Sequence, residues 1–417
     1  MGKIKTIKII KAWGKQSKSL VKVQKTGGNL EKSVASILGW GGGRVVYDFK
    51  HKYDIQVDNV FPDVNKPEVV LSVTYTSPDQ KGHSNENKLH LKVGELALLK
   101  YAYPKIRMVL VLGGTHDAWL PYVLKAFDFF YDEVIYLWEE KGEKRLLEIK
   151  NNPLVTVLKH IDFWSKMRQE WSKTELHSLD YAVPKGLVRY KIFDALKNQG
   201  EIVHHPSLIK NEIARLCMQR SRDNNGAEWD SYLEGRWANI EMSRNFFNPV
   251  EATIEITLTA GKLKFQGGVA RDIAVPSLLH DLGLKGTRVS EDFVLFSRKL
   301  KKLVYIQCKS SGGGIAQHGK NIQNRTKEQI TRSIIYRSHS DGKQLFFQPK
   351  NFHWISVLDG DWSVNTKNPV KYIHMLQLAG YDKIFRAEDL LNANMEVKRK
   401  DNPLLKYLKE LDCEEIS

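Results

Sequence analysis

The chain has 417 residues, 42% hydrophobic and 27% charged, with 64 Lys and Arg against 48 Asp and Glu for a net charge of +16. That length exceeds what one hydrophobic core usually supports, so two or three domains are expected, and the composition is that of an ordinary globular protein and not of a disordered or membrane one. No run of 18 uninterrupted apolar residues occurs, and Cys217, Cys308 and Cys413 are too scattered for a disulfide framework or a CxxC zinc pair.

The opening stretch MGKIKTIKIIKAWGKQSKS mixes lysine with apolar residues. It lacks the separate apolar core and small-residue cleavage site of a secretory leader, so a cytoplasmic location without a membrane partner is expected. Met1, Gly2 and Thr6 formally match a myristoylation pattern, which is short enough to arise often by accident. GGNLEKSVASILGWGGG reads as a helix closed by a glycine-rich turn. RVVYDFKHKYDIQVDNVF and EVVLSVTYTS are β-branched runs of strand length. NENKLHLKVGELALLKYA has helical spacing at Leu89, Val93, Leu96 and Leu99, and Pro104 ends it; IRMVLVLGG is a buried, parallel-type strand. VIYLWEE and a polar stretch around residues 165–182 complete an N-terminal α/β domain over residues 1–175.

Residues 176–245 read as a helical segment. VRYKIFDALKNQG puts Val188, Ile192, Phe193 and Leu196 on one side, and PSLIKNEIARLCMQR opens on Pro206, where a first helical turn tolerates proline. Two short basic helices suit either a DNA-reading pair or a linker. A second α/β unit is expected over residues 246–417. ATIEITLT alternates as a strand, EDFVLF and LVYIQCK are strands joined by the charged turn SRKLKK, NRTKEQITRSIIYRS is a basic helix, and FHWISVLDGDW is a further strand ending in an acidic turn. The order of elements matches that of the first unit.

The hairpin EDFVLFSRKLKKLVYIQCK brings Asp292, at the start of one strand, toward Gln307 and Lys309 at the end of the next. Gln307 and Lys309, at i and i+2, share one face, and Cys308 points to the other and is assigned to packing. Asp292, the Gln307 side-chain oxygen and the Cys308 backbone carbonyl form a hard-oxygen set suited to Mg²⁺, which is often held by one or two carboxylates plus substrate phosphate. Lys309 cannot ligate a cation but can orient an attacking water, while a metal offsets charge developing on the phosphate. Asp272 and Asp281 compete with Asp292 as the acidic partner, from beyond a simple hairpin.

This constellation resembles the PD-(D/E)XK nuclease superfamily, in which an aspartate opening one strand and an (E/Q)xK pair on the next form a Mg²⁺-dependent centre. The matching residues are Asp292, Gln307 and Lys309. Glutamine in place of the usual glutamate lowers the negative charge of the site by one unit. The resemblance implies an α/β (α+β) fold with a C-terminal nuclease-like mixed sheet flanked by helices. It also implies Mg²⁺ as cofactor, with Mn²⁺ able to substitute, and hydrolysis of phosphodiester bonds in double-stranded DNA, most like a type II restriction endonuclease.

The basic charge, with a pI near 9.4, agrees with a polyanionic partner. After the site, SSGGGIAQHGKNIQNRTKEQITRSIIYR supplies glycines that admit a phosphate and the candidate DNA contacts Lys320, Gln323, Asn324, Arg325 and Arg332. His318, Asn324 and His339 lack the spacing of an HNH centre. In DIQVDNVFPDVNKPEVVLSVTYT, Asp58 stands where Asp292 does, but Ser72 and Thr74 hold the (E/Q)xK positions, so the N-terminal domain reads either as a degenerate nuclease-like copy or as an unrelated α/β domain with the same strand order. Cutting both strands implies a homodimer or higher homo-oligomer. The competing expectations are a structure-specific repair or recombination nuclease and a non-catalytic DNA-binding protein with vestigial nuclease folds.

Overall fold

The computed structural model describes residues 20–49, 51–77, 83–155, 157–175, 249–268, 273–275, 278, 289–310, 318–359, 371–393 and 397–414. The fold is of the α/β (α+β) type, with mixed sheets and helices. Contacts divide the chain into two units. The first comprises residues 1–174, 276–287 and 327–348, and the second residues 175–275, 288–326 and 349–417. The first segment of the first unit ends at Thr174 and residues 327–348 group with it, so neither unit is a single contiguous segment. The helical segment expected over residues 176–245 lies outside the described residues.

The first unit opens with α1 (Leu20–Leu38), which stops at Gly39, whose φ of +74° suits only glycine comfortably. A hairpin of β1 (Gly43–Phe49) and β2 (His51–Val57) follows, then β3 (Asn59–Pro62), β4 (Pro67–Tyr75), α2 (His83–Ala102), β5 (Arg107–Gly113), α3 (Pro121–Phe130), β6 (Glu133–Tyr136), α4 (Glu140–Asn151) and α5 (Ile161–Ser172). The sheet runs β3-β4-β5-β6, with β3 antiparallel to β4 and the remaining pairs parallel. From residue 69 to residue 73, β4 is buried on both faces. Val69, Leu71, Val73 and Tyr75 pack against Leu30, Val34 and Leu38 of α1, which leaves Ser72 and Thr74 on the opposite face. The stretch around residues 165–182, expected to be merely polar, begins within α5, whose Phe163, Trp164, Met167 and Trp171 are all buried.

The second unit carries α6 (Pro249–Ala260), β7 (Gln266–Gly267), β8 (Ile273–Ala274), β9 (Ser290–Glu291), β10 (Phe293–Ser297), β11 (Lys302–Ser310) and α7 (His318–Tyr336). The chain continues as β12 (Ser338–Ser340), β13 (Leu345–Phe347), β14 (Phe352–Asp359), α8 (Lys371–Ala379), β15 (Lys383–Arg386), α9 (Pro403–Glu410) and β16 (Cys413–Glu414). The later half of α7, with β12 and β13, belongs to the first unit. Four strands of the main sheet run β10-β11-β14-β15, again with the first pair antiparallel and the others parallel. The two units therefore share strand order, strand direction and the placement of a helix after the second strand and another before the fourth.

ATIEITLT, expected as a strand, is part of helix α6. The same letters satisfy two periods, and burial selects the helical one. Val250, Ile254 and Leu258 recur every four residues and are fully buried against Phe293, Ile306 and Cys308. Thr257 and Thr259 turn their hydroxyls back onto the carbonyls of Thr253 and Glu255, at 2.7 and 2.8 Å, so these β-branched residues leave no polar atom unmet in the helix.

Candidate active site

Asp292 stands one residue ahead of β10, and the pairing of Phe293 with Ile306 sets it opposite Gln307. Its Oδ2 accepts two hydrogen bonds from β11, from Gln307 Nε2 and from the backbone N–H of Cys308, each at 2.5 Å. A carboxylate only accepts, so Gln307 must turn its NH₂ toward Asp292 and its carbonyl oxygen away. That oxygen, Oε1, is buried without a hydrogen-bond partner among the described residues, on a side chain 1% exposed. Leaving such an acceptor unmet costs about 1–3 kcal/mol. A hard cation is one species that would satisfy it.

Lys309 follows two residues later, half-buried, on the same face of β11. Cys308 faces the hydrophobic core at 1% exposure, where burial, reinforced by the charges of Asp292 and Glu251, pushes its thiol well above the usual range. What Cys308 brings to Asp292 is its amide N–H. Glu251, in the first turn of α6, is a carboxylate near the site that sequence reasoning missed, because reading this segment as a strand gave no reason to aim it at β11.

Asp272 and Asp281 lie outside the described residues. Of the candidate DNA contacts, Lys320 and Gln323 fall early on α7 at positions whose side chains are also outside them. Asn324 and Arg325 are half-buried on the same helix. Arg332 corrects its expectation. It is 8% exposed and pairs with Glu328 at 3.9 Å, one helical turn away, so its charge is used within the protein and not on an open face.

The first unit repeats the backbone geometry. Asp58 stands one residue ahead of β3, opposite Ser72, and its Oδ2 accepts the backbone N–H of Val73 at 2.7 Å. The neighbouring side chains differ. Helix α2 contributes Lys92, whose Nζ donates to Ser72 Oγ at 2.5 Å and lies 3.5 Å from Asp58 Oδ2 and 3.7 Å from Glu95 Oε2. Ser72 passes its own proton to a hydrogen bond with Glu95 Oε1 at 2.7 Å, and Lys327 reaches Glu95 Oε2 at 3.1 Å. Burial alone would raise the Glu95 carboxyl, but Lys92, Lys327 and Ser72 outweigh it and hold it at about 2.

Among the described residues, no group of three or more His, Cys, Asp or Glu side chains is arranged to hold a metal. The donors at Asp292 and Gln307 still fit Mg²⁺, a cation that keeps several waters and completes its shell with substrate phosphate. Among the described residues no helix is long and apolar enough to cross a membrane. In comparison with known proteins, no family model, no curated protein and no solved structure matches the chain.

Proposed function

We propose that the protein is a Mg²⁺-dependent endonuclease that hydrolyses phosphodiester bonds in double-stranded DNA at a specific sequence, in the manner of a type II restriction enzyme. The observation that carries this reading is the buried Gln307 oxygen, unmet by any donor among the described residues, beside the Asp292 carboxylate at a strand end, with Lys309 on the same face. Asp292 and Gln307 would hold the cation, whose charge, when bound, offsets that developing on the phosphate. Lys309 would donate hydrogen bonds to the attacking water and to a phosphate oxygen, fixing the line of approach. Half-buried Asn324 and Arg325, with Lys320 and Gln323, would contact backbone or base edges. The net charge of +16 favours a polyanionic substrate.

Incubation of the purified protein with plasmid DNA in Mg²⁺, Mn²⁺ and EDTA tests the reading. Discrete fragments in either metal and none in EDTA are expected. A smear would remove sequence specificity, and binding without cutting in both metals would leave a DNA-binding protein with no catalytic role.

A further inference from the structure

The two units differ most at the point where they should be most alike. In the second, Asp292 faces an amide whose oxygen has no donor among the described residues. In the first, the equivalent space beside Asp58 is occupied by an ammonium group. Lys92 Nζ lies within 3.7 Å of oxygens from Asp58, Ser72 and Glu95, three residues from a loop, a strand and a helix. A fourth side chain, Glu31 of α1, adds its charge to the field that holds Lys92 protonated although only 15% of the lysine side chain is exposed. A cation enclosed by oxygens from several elements is the arrangement a metal centre has.

We infer that the Lys92 ammonium fills, in the first unit, the place of a divalent cation among Asp58, Ser72 and Glu95, so that this unit is a metal-type centre closed by a built-in cation. The inference deepens the reading proposed above and rests on it for the nature of the counterpart cation. Two further observations support the assignment. The aspartate-to-backbone bond is duplicated at Val73 and Cys308, so the two centres occupy matching places in their sheets. Asp58 and Glu95 place two carboxylates around Lys92, so removal of the ammonium leaves a site able to take a cation. Lys327, bonded to Glu95, offsets only one of those charges. The consequence is one metal centre per chain, and cutting both strands of a duplex then requires two copies of the chain.

Counting bound Mn²⁺ from the loss of the free-ion electron paramagnetic resonance signal tests this on the full chain. The wild-type protein is expected to bind one Mn²⁺, lost in Asp292→Asn and kept in Asp58→Asn. Lys92→Ala is expected to bind one more Mn²⁺ than wild type, and adding Asp58→Asn to it should abolish the gain. Loss of wild-type Mn²⁺ in Asp58→Asn would overturn the inference, as would a folded Lys92→Ala protein with no added Mn²⁺. If Lys92→Ala does not fold, the wild-type and Asp58→Asn pair still decides. Should the wild type bind no Mn²⁺ while Lys92→Ala gains one, the second unit's metal role fails and the inference about Lys92 stands.

Discussion

Asp58 accepts the backbone N–H of Val73 at 2.7 Å, a bond that ties the residue ahead of one strand to the middle of its neighbour. Asp292 makes the same bond to Cys308 in the second unit. A fixture repeated in two sheets that share the order of four strands locates the place where the units diverge in chemistry: Ser72 and Thr74 on one side, Gln307 and Lys309 on the other.

Lys309→Ala removes an ammonium while leaving the Asp292–Gln307 hydrogen bond in place. Loss of one group that stabilises a transition state lowers a rate by roughly 10²-fold or more. The cleavage rate should fall by that factor, with DNA retention in Ca²⁺ changed only a few-fold in filter binding. An equal fall in both would make Lys309 a phosphate-holding residue instead.

Gln307→Glu replaces an amide donor with a second carboxylate against Asp292. Without metal, two buried like charges meet at hydrogen-bond distance, and the lost bond and repulsion should cost roughly 1–3 kcal/mol. Thermal unfolding in EDTA should move down by about 3–10 °C, since each kcal/mol shifts a domain of this size by a few degrees. Mg²⁺ should restore it. The same drop in both conditions would contradict the cation reading.

Gly94→Ala sets two effects against each other. Alanine favours helix by about 1 kcal/mol over glycine. At this position, however, the new Cβ would lie 2.2 Å from the Lys327 carbonyl oxygen, an overlap that the backbone must move to relieve. Overpacking of this kind costs about 1–3 kcal/mol and pulls Lys327 from Glu95, so the clash outweighs the propensity. Chemical denaturation should give a lower midpoint for Gly94→Ala, and a higher one would show that the two helices separate freely.

Lys88 has a buried Nζ with no hydrogen-bond partner among the described residues, 5.5 Å from the centre of the Trp119 ring, and burial brings its ammonium down to about 8. An unfolded lysine titrates near 10.4. Between these values the unfolded chain holds a proton that the folded chain has released, so stability rises with pH across the window and levels off above it. Below pH 8 the folded state carries the charge at a penalty of about 3 kcal/mol. Lys88→Met should therefore raise the melting temperature at pH 7, by a gain that shrinks as pH approaches 10. A gain independent of pH would assign the effect to packing alone.

The residues that carry the proposed chemistry were legible in the chain because their relation is local. The two-residue period of a strand over LVYIQCK and a short charged turn are enough to put Gln307 and Lys309 on one face, Cys308 on the other and Asp292 opposite, as the register of β10 and β11 has them. The repeated order of strand, strand, helix and strand was legible for the same reason. Tertiary structure alone decided three things. ATIEITLT fits a period of two or of four, and only the core waiting for Val250, Ile254 and Leu258 selects the helix. Arg332 reads as a free cation until helix packing encloses it beside Glu328. Asp58 reads as a remnant because its partners, Lys92 and Glu95, lie on a helix more than thirty residues away, and no periodicity links positions that only the folded sheet brings together.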